Sequence, residues 1–168
     1  MLAPLRTALS SIGAGVARLV LTRWRHGGRA MSMVTYGRGT ADDPWILKTP
    51  SLASEFQAWR EAGLDPPVLV VQVGATRLSY RERAIEDAAA MLRAHGDWMV
   101  LGNADEGKPV TEGSLEAWAR DPANPVGGYY GLRKGYRGRF ANYVAPVLEV
   151  MGLAEVEHGP RNNRRRAL

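Results

Sequence analysis

The sequence predicts an α+β fold, with a small lobe of β-hairpin, helix and strand followed by a winged-helix-like C-terminal lobe. Two observations predict it. A β-branched run at 68–73 is followed by Gly74-Ala75 and an alternating segment at 76–80, which is typical of a β-hairpin. The pattern of the last third predicts a helix, a Gly-Leu pair, a strand, a turn rich in Arg and Asn, and a second strand, in that order. A chain of 168 residues, 45% of them hydrophobic, can bury a core of this size.

The first lobe is predicted over residues 35–108. Residues 54–62 are predicted to form a short helix, since Gly63 and a Pro-Pro pair follow. Ser79 and Glu82 have the spacing of a capping box, which predicts a helix from there to His95.

Residues 97–101, after Gly96, are predicted to return as a third strand beside the hairpin.

The second lobe is predicted over residues 109–168. A short helix is expected near 114–120, and an apolar stripe from Phe140 to Met151 predicts a longer one that ends at Gly152. Pro146 either begins a shorter helix or kinks the longer one. Residues 154–157 and 164–168 predict the two strands that flank the Arg- and Asn-rich turn.

The net charge of +5 is distributed unevenly along the chain. Residues 1–40 contain six Arg and no acid, residues 41–110 contain seven basic and eleven acidic residues, and residues 111–168 contain nine and six. A positive charge suits nucleic acid or an anionic membrane, but here the middle is acidic and only the two ends are basic.

Residues 1–34 are predicted to be an N-terminal extension, either disordered or the result of a start codon set upstream of Met31 and Met33. Its basic amphipathic pattern also suits a targeting peptide or an interfacial helix. Its uncharged run, 7–17, is too short to cross a bilayer, so no integral membrane segment is predicted. The chain has no cysteine, which excludes disulfides and thiolate zinc sites and fits a cytoplasmic location.

A basic segment carries the first functional prediction. Residues 132–143 hold four cations interleaved with Tyr136 and Phe140, and cations with aromatics can contact phosphates and stack on bases. In a winged helix the last helix and the wing would contact DNA or RNA. The predicted nucleic-acid-binding residues are Arg133, Lys134, Arg137, Arg139, Asn142, Arg161, Asn162, Asn163, Arg164, Arg165 and Arg166.

Two other functions are compatible with the sequence. One is a non-catalytic protein-interaction or regulatory module, binding a protein partner or a second copy through its aromatic residues Trp118, Tyr129, Tyr130 and Tyr136. The other is an enzyme acting on a small substrate through His95 and nearby acids, which are Asp97, Asp105, Glu106, Glu112 and Glu116. The spacing of these acids matches no metal-ligand or hydrolase pattern, so no catalytic residue, metal or cofactor is predicted.

Several short motifs resemble those of an uncharacterised family of small bacterial proteins with a domain of unknown function. They are Gly39-Thr40-Ala41-Asp42-Asp43-Pro44-Trp45, His95-Gly96-Asp97-Trp98, Asn124-Pro125-Val126-Gly127-Gly128 with Tyr130-Gly131, and Arg137-Gly138-Arg139-Phe140 to Glu157-His158 with Arg161-Asn162-Asn163. The resemblance covers about residues 36–168. It implies a domain boundary near residue 36, and no activity.

Overall fold

The computed structural model describes residues 37–168, so the predictions for the N-terminal extension lie outside the described residues. The α+β class is confirmed. An antiparallel sheet of order β1-β2-β3-β4 comes first. Its strands are β1 (Trp45–Lys48), β2 (Glu55–Glu61), β3 (Val68–Val73) and β4 (Thr76–Arg81).

The remaining elements build a second sheet and three helices. They are α1 (Ala84–His95), β5 (Met99–Val100), α2 (Leu115–Trp118), α3 (Phe140–Val150), β6 (Ala154–Val156) and β7 (Arg164–Ala167). The second sheet is antiparallel with the order β5-β7-β6.

The predicted hairpin is confirmed as β3 and β4. Val73 pairs with Thr76 across the turn, and Gly74 supplies the positive φ, +56°, that this tight turn needs. Leu69 and Val71 of β3 and Leu78 of β4 point into the core. The predicted strands that end the chain are also present, as β6 and β7.

The predicted helix at 54–62 is wrong, because this segment is strand β2. Phe56 and Ala58 are buried while Glu55 and Gln57 are exposed, so the side chains alternate with a period of two. Pairing with β1 and β3 on its two sides satisfies the backbone of β2.

The predicted capping box is wrong as well. Ser79 lies inside β4, and α1 begins at Ala84 after Arg83, which makes no side-chain capping bond. Glu82 instead pairs with Arg60 of β2. The predicted end of the helix is confirmed, since Gly96 follows His95 in the left-handed conformation.

The strand predicted at 97–101 joins a different sheet from the one expected. The observed strand, β5, is shorter than the predicted one, and its Met99 pairs with Arg165 of β7 rather than with the hairpin. One hydrophobic core also takes residues from both sides of position 108. The division into lobes at 35–108 and 109–168 stays a prediction.

Helix α3 passes through Pro146 and lies in the centre of the molecule. Eight of its residues are buried, and only Asn142, Glu149 and Val150 are half-buried. Pro146 removes one backbone donor from the helix but adds apolar surface to the core. Within residues 37–168, no helix is long and apolar enough to cross a membrane.

Aromatic rings join the loop before α3 to the core. Tyr130 stacks on Trp118 at 5.3 Å between ring centroids and also packs against Phe140. Asn124 fixes this loop, because its side-chain amide donates to the carbonyls of Trp118 and Gly128 and its oxygen accepts two backbone N–H groups. The Asn124 to Gly128 motif therefore has a structural role.

The side chain of His158 links its own segment after β6 to helix α3 and to the loop after β1. Its Nε2 lies 3.0 Å from a carboxylate oxygen of Glu149 in α3, and its Nδ1 lies 3.2 Å from the carbonyl of Pro50. Burial opposes protonation of the ring, but the hydrogen bond and charge of Glu149 outweigh it and raise the pKa of His158 above 6.5.

This raised pKa predicts a pH-dependent stability. The folded state binds the proton more tightly than the unfolded state, so the stabilisation is complete below pH 6.5 and is lost as the pH rises through the folded pKa of His158. We expect the free energy of unfolding, measured with urea, to be larger at pH 6 than at pH 8. His158→Gln should remove this difference and His95→Gln, at an exposed site, should keep it. An unchanged difference in His158→Gln would contradict the assignment.

Candidate functional site

A surface cleft of about 330 Å³ lies between the turn end of β3 and β4 and two loops, 104–106 and 135–139. We call it the Tyr136 cleft. Thr76 and Leu78 form its sheet side, and Tyr136, Arg139 and Tyr143 lie on the loop and helix side. Four residues of the predicted nucleic-acid-binding set lie on the same loop as Tyr136. They are Arg133, Lys134, Arg137 and Arg139.

Two arginines of the predicted nucleic-acid set are paired with carboxylates at the cleft. Arg137 donates to Glu106 through its guanidinium, at 2.5 Å, and through its backbone N–H, at 2.8 Å. Arg139 donates to Asp105 at 2.5 Å. The hydrogen bond from Arg137 holds the pKa of the Glu106 carboxyl below its usual value, and that from Arg139 does the same for Asp105.

Gly138 allows the two loops to lie this close. A Cβ at Gly138 would come within 2.2 Å of the backbone nitrogen of Glu106. The backbone N–H of Arg139 also donates to the carbonyl of Ala104 at 2.8 Å. The wall of the cleft is therefore a continuous set of contacts between the two loops.

A buried ion pair between Glu116 and Arg120 contacts this wall at Ala104. Glu116 of α2 is completely buried and accepts a bond from Arg120 at 2.7 Å. Its second oxygen accepts the N–H of Ala141 at 2.9 Å, in the first turn of α3. Arg120 also donates to the carbonyl of Ala104. Burial raises the pKa of the Glu116 carboxyl.

The loop that brings Tyr136 to the cleft carries exposed apolar and cationic side chains. Leu132 is 41% exposed and Tyr136 is 42% exposed. The Arg133 guanidinium lies 4.0 Å from the centroid of the Tyr136 ring, and Lys134 is exposed beside it. Arg133 and Lys134 contact no carboxylate within residues 37–168.

The arginines of the C-terminal strand are also engaged within the chain. Arg164 pairs with Glu157 at 2.6 Å and Arg166 pairs with Glu155 at 2.8 Å, while both guanidinium groups lie over the ring of Trp98. These pairs hold β7 against its neighbours.

Arg165, between them, is completely buried. None of its three guanidinium nitrogens has a hydrogen-bond partner in the described part of the chain.

The asparagines and Arg161 complete the predicted set. Asn163 bonds back to both the N–H and the carbonyl of Gly159, and Asn162 has a φ of +55° in the same turn. Asn142 is half-buried at the start of α3, and Arg161 is exposed. Of the eleven predicted residues, Arg133, Lys134, Arg137 and Arg139 share one loop, on which Arg139 lines the cleft, and the others lie in the 159–163 turn, in β7 or in α3.

The charge of the described region is balanced. Five of the 22 Lys and Arg residues precede residue 37, which leaves 17 cations against 17 acids in residues 37–168. The positive net charge therefore comes from the N-terminal extension. Sequence reasoning considered Asp105, Glu106 and Glu116 only as acids for catalysis and missed their role as arginine partners, because no local pattern reports such a pairing.

Of the residues named for the two alternative functions, Tyr136, Asp105 and Glu106 line the cleft, and the others are not among its lining residues. Trp118 and Tyr130 belong to the core, and Tyr129 lies under Arg120 and Arg137. His95 is exposed, and Asp97 accepts the neighbouring N–H of Trp98. No group of three or more His, Asp or Glu side chains able to hold a metal ion occurs in residues 37–168.

Comparison with known proteins gives one match. No curated protein and no solved structure matches this sequence. A family model described as a family of unknown function, DUF6855, matches residues 37–168, which is the whole described region and agrees with the boundary implied by the motifs. The chain therefore belongs to the DUF6855 family.

Proposed function

We propose that this protein is a non-catalytic interaction module that binds a segment of a partner protein at the Tyr136 cleft. One observation carries the proposal: Leu132 and Tyr136, two large apolar side chains, are exposed on one loop, and Tyr136 lines the cleft. Exposed tyrosines beside a pocket are typical anchors of protein interfaces. The ion pairs of Arg137 and Arg139 give the loop a fixed geometry, which lowers the entropy lost on binding.

The topology supports the same proposal. We infer a winged-helix-like lobe, and the order α1, β5, α2, α3, β6, β7 with the sheet order β5-β7-β6 supports that inference. In DNA-binding members the last helix enters the major groove. Here α3 is mostly apolar and buried, so it offers no side for reading bases, and a protein-binding winged helix is the better fit. We place this activity in the cytoplasm, with the lack of cysteine as support.

Selection of a random peptide library, displayed on phage and captured on the full chain, tests the proposal. We expect enriched peptides whose binding weakens at least about tenfold, or about 1.4 kcal/mol, in the double variant Leu132→Ser and Tyr136→Ser. The matched control is Leu64→Ser. Leu64 is 50% exposed between β2 and β3, at the opposite end of the sheet from the cleft, and this variant should bind as the wild type does. Peptides that bind the double variant equally well would contradict the proposal.

Nucleic-acid binding is the second candidate, and one observation favours it. Arg133 stacked on Tyr136, with Lys134 beside it, is a combination that can hold a phosphate and a base of a single strand. Fluorescence anisotropy with labelled single-stranded DNA, run on the same variants, separates the two functions. DNA binding that weakens steeply with salt and is lost in Arg133→Ala would favour this candidate over a protein partner.

A further inference from the structure

The outer edge of β4 is only partly paired. The carbonyl of Ser79 accepts the N–H of Leu132, and the N–H of Arg81 donates to the carbonyl of Tyr130, both at 2.9 Å. Backbone groups of alternate residues in an antiparallel strand point to opposite neighbours, so the odd-numbered residues of β4 point away from β3. Segment 130–132 pairs with the last part of this edge, next to the bridge between Tyr80 and Gly131.

Arg77 is the open position on this edge. It has the same parity as Ser79, so its N–H and its carbonyl point outward. No other backbone group in residues 37–168 bonds to either of them outside the sheet. Arg77 is exposed, and its neighbours Thr76 and Leu78 line the Tyr136 cleft. An unpaired strand edge beside a cleft is the arrangement that proteins use to bind an extended peptide as an added strand.

The charge around this edge favours an acidic partner. Arg133 and Lys134 follow directly after Leu132, and Arg81 lies on β4 itself. None of the three contacts a carboxylate in the described chain. Arg77 itself pairs with Glu61 at 2.9 Å. A second copy of this chain fits less well, because joining two β4 edges would place the unpaired cation Arg81 of each copy near basic residues of the other.

We infer that the partner adds a strand to β4 as an extended acidic segment whose backbone bonds to Arg77 and whose apolar side chain enters the Tyr136 cleft. The inference rests on the proposed function and names the class of partner. The cleft volume of about 330 Å³ lies at the lower end of the range for small-ligand pockets, roughly 300–1,000 Å³, and suits one large side chain. Alternation along the bound strand directs every second side chain to the cleft.

The test uses a fluorescein-labelled peptide of sequence Glu-Val-Glu-Tyr-Glu-Val-Glu and the full chain, followed by anisotropy. Arg77→Pro removes the outward N–H and blocks approach to the edge, whereas Arg77→Ala removes the same side chain and keeps the N–H. Proline is tolerated at edge positions whose N–H faces solvent, and circular dichroism of the variant checks that it folds. We expect Arg77→Pro to bind at least about tenfold more weakly than Arg77→Ala, which corresponds to about 1.4 kcal/mol.

Equal binding by Arg77→Pro and Arg77→Ala would overturn strand addition. If the library peptides still depend on Leu132 and Tyr136 in that case, the proposed function stands and only the binding mode fails. Binding of a Lys-Val-Lys-Tyr-Lys-Val-Lys peptide as tight as that of the acidic peptide would overturn the acidic partner. Dimers of the full chain in sedimentation velocity that Arg77→Pro abolishes would identify a second copy as the occupant and also overturn it.

Discussion

Glu116→Ala is expected to destabilise the protein by about 3–5 kcal/mol, because it removes one partner of a buried ion pair. Arg120 would keep its charge with only 10% of its side chain exposed, and the N–H of Ala141 would lose its acceptor at the start of α3. The wall of the Tyr136 cleft depends on the same pair through the bond from Arg120 to Ala104. Urea unfolding followed by circular dichroism measures the loss.

Glu112→Ala is the matched control for this variant. Glu112 is an exposed acid on the loop that leads into α2, so its removal should change the free energy of unfolding by less than about 0.5 kcal/mol. Glu116→Gln should fall between the two, because the amide oxygen can still accept one bond but carries no charge. A loss below about 1 kcal/mol in Glu116→Ala would show that the buried pair contributes little.

Arg165→Met is expected to stabilise the protein by about 1–3 kcal/mol, which is the cost of leaving a buried polar group without partners. Arg165 points into the core from the central strand of the second sheet, where its strand neighbours on the same face are Met99 and Val156. Burial lowers the pKa of the guanidinium, and Glu116 is the acid that opposes this effect. Methionine is unbranched and fills the same irregular volume without a charge.

The neighbouring variant Arg164→Met provides the comparison. Arg164 is exposed and its pair with Glu157 lies at the surface, so its loss should cost no more than about 1 kcal/mol. Thermal unfolding of both variants by calorimetry gives the difference. If Arg165→Met unfolds or loses stability, the guanidinium has a stabilising partner in the folded protein.

The nucleic-acid prediction from sequence stays a prediction, but the sequence does not report how its arginines are engaged within the fold. Arg137 and Arg139 look like free cations in the sequence, yet each is paired with a carboxylate more than 30 residues away. The cluster Arg164 to Arg166 looks uniform, yet its middle residue is buried and its outer two pair with Glu157 and Glu155. These pairings depend on which loops and strands become neighbours, which composition does not report.

Local patterns determined the elements that need only neighbouring residues. The Gly74-Ala75 turn between two β-patterned segments predicts the hairpin, and Gly96 ends α1. Alternation after Gly152 predicts β6, and the turn at 159–163 predicts that β7 follows it. The sequence also determined the extent of the family domain, through motifs that begin at Gly39.

Three features depend on tertiary structure alone. They are the strand conformation of β2, the choice of sheet for β5, and the pairing of the cleft arginines with carboxylates. Segment 55–61 became a strand because β1 and β3 satisfy its backbone on both sides. Met99 and Val100 pair with Arg165 and Arg164 of β7, which is the central strand of the second sheet. Strand pairing and ion pairing are contacts between distant parts of the chain, so their free energy is gained only when the whole core forms and no window of the sequence contains it.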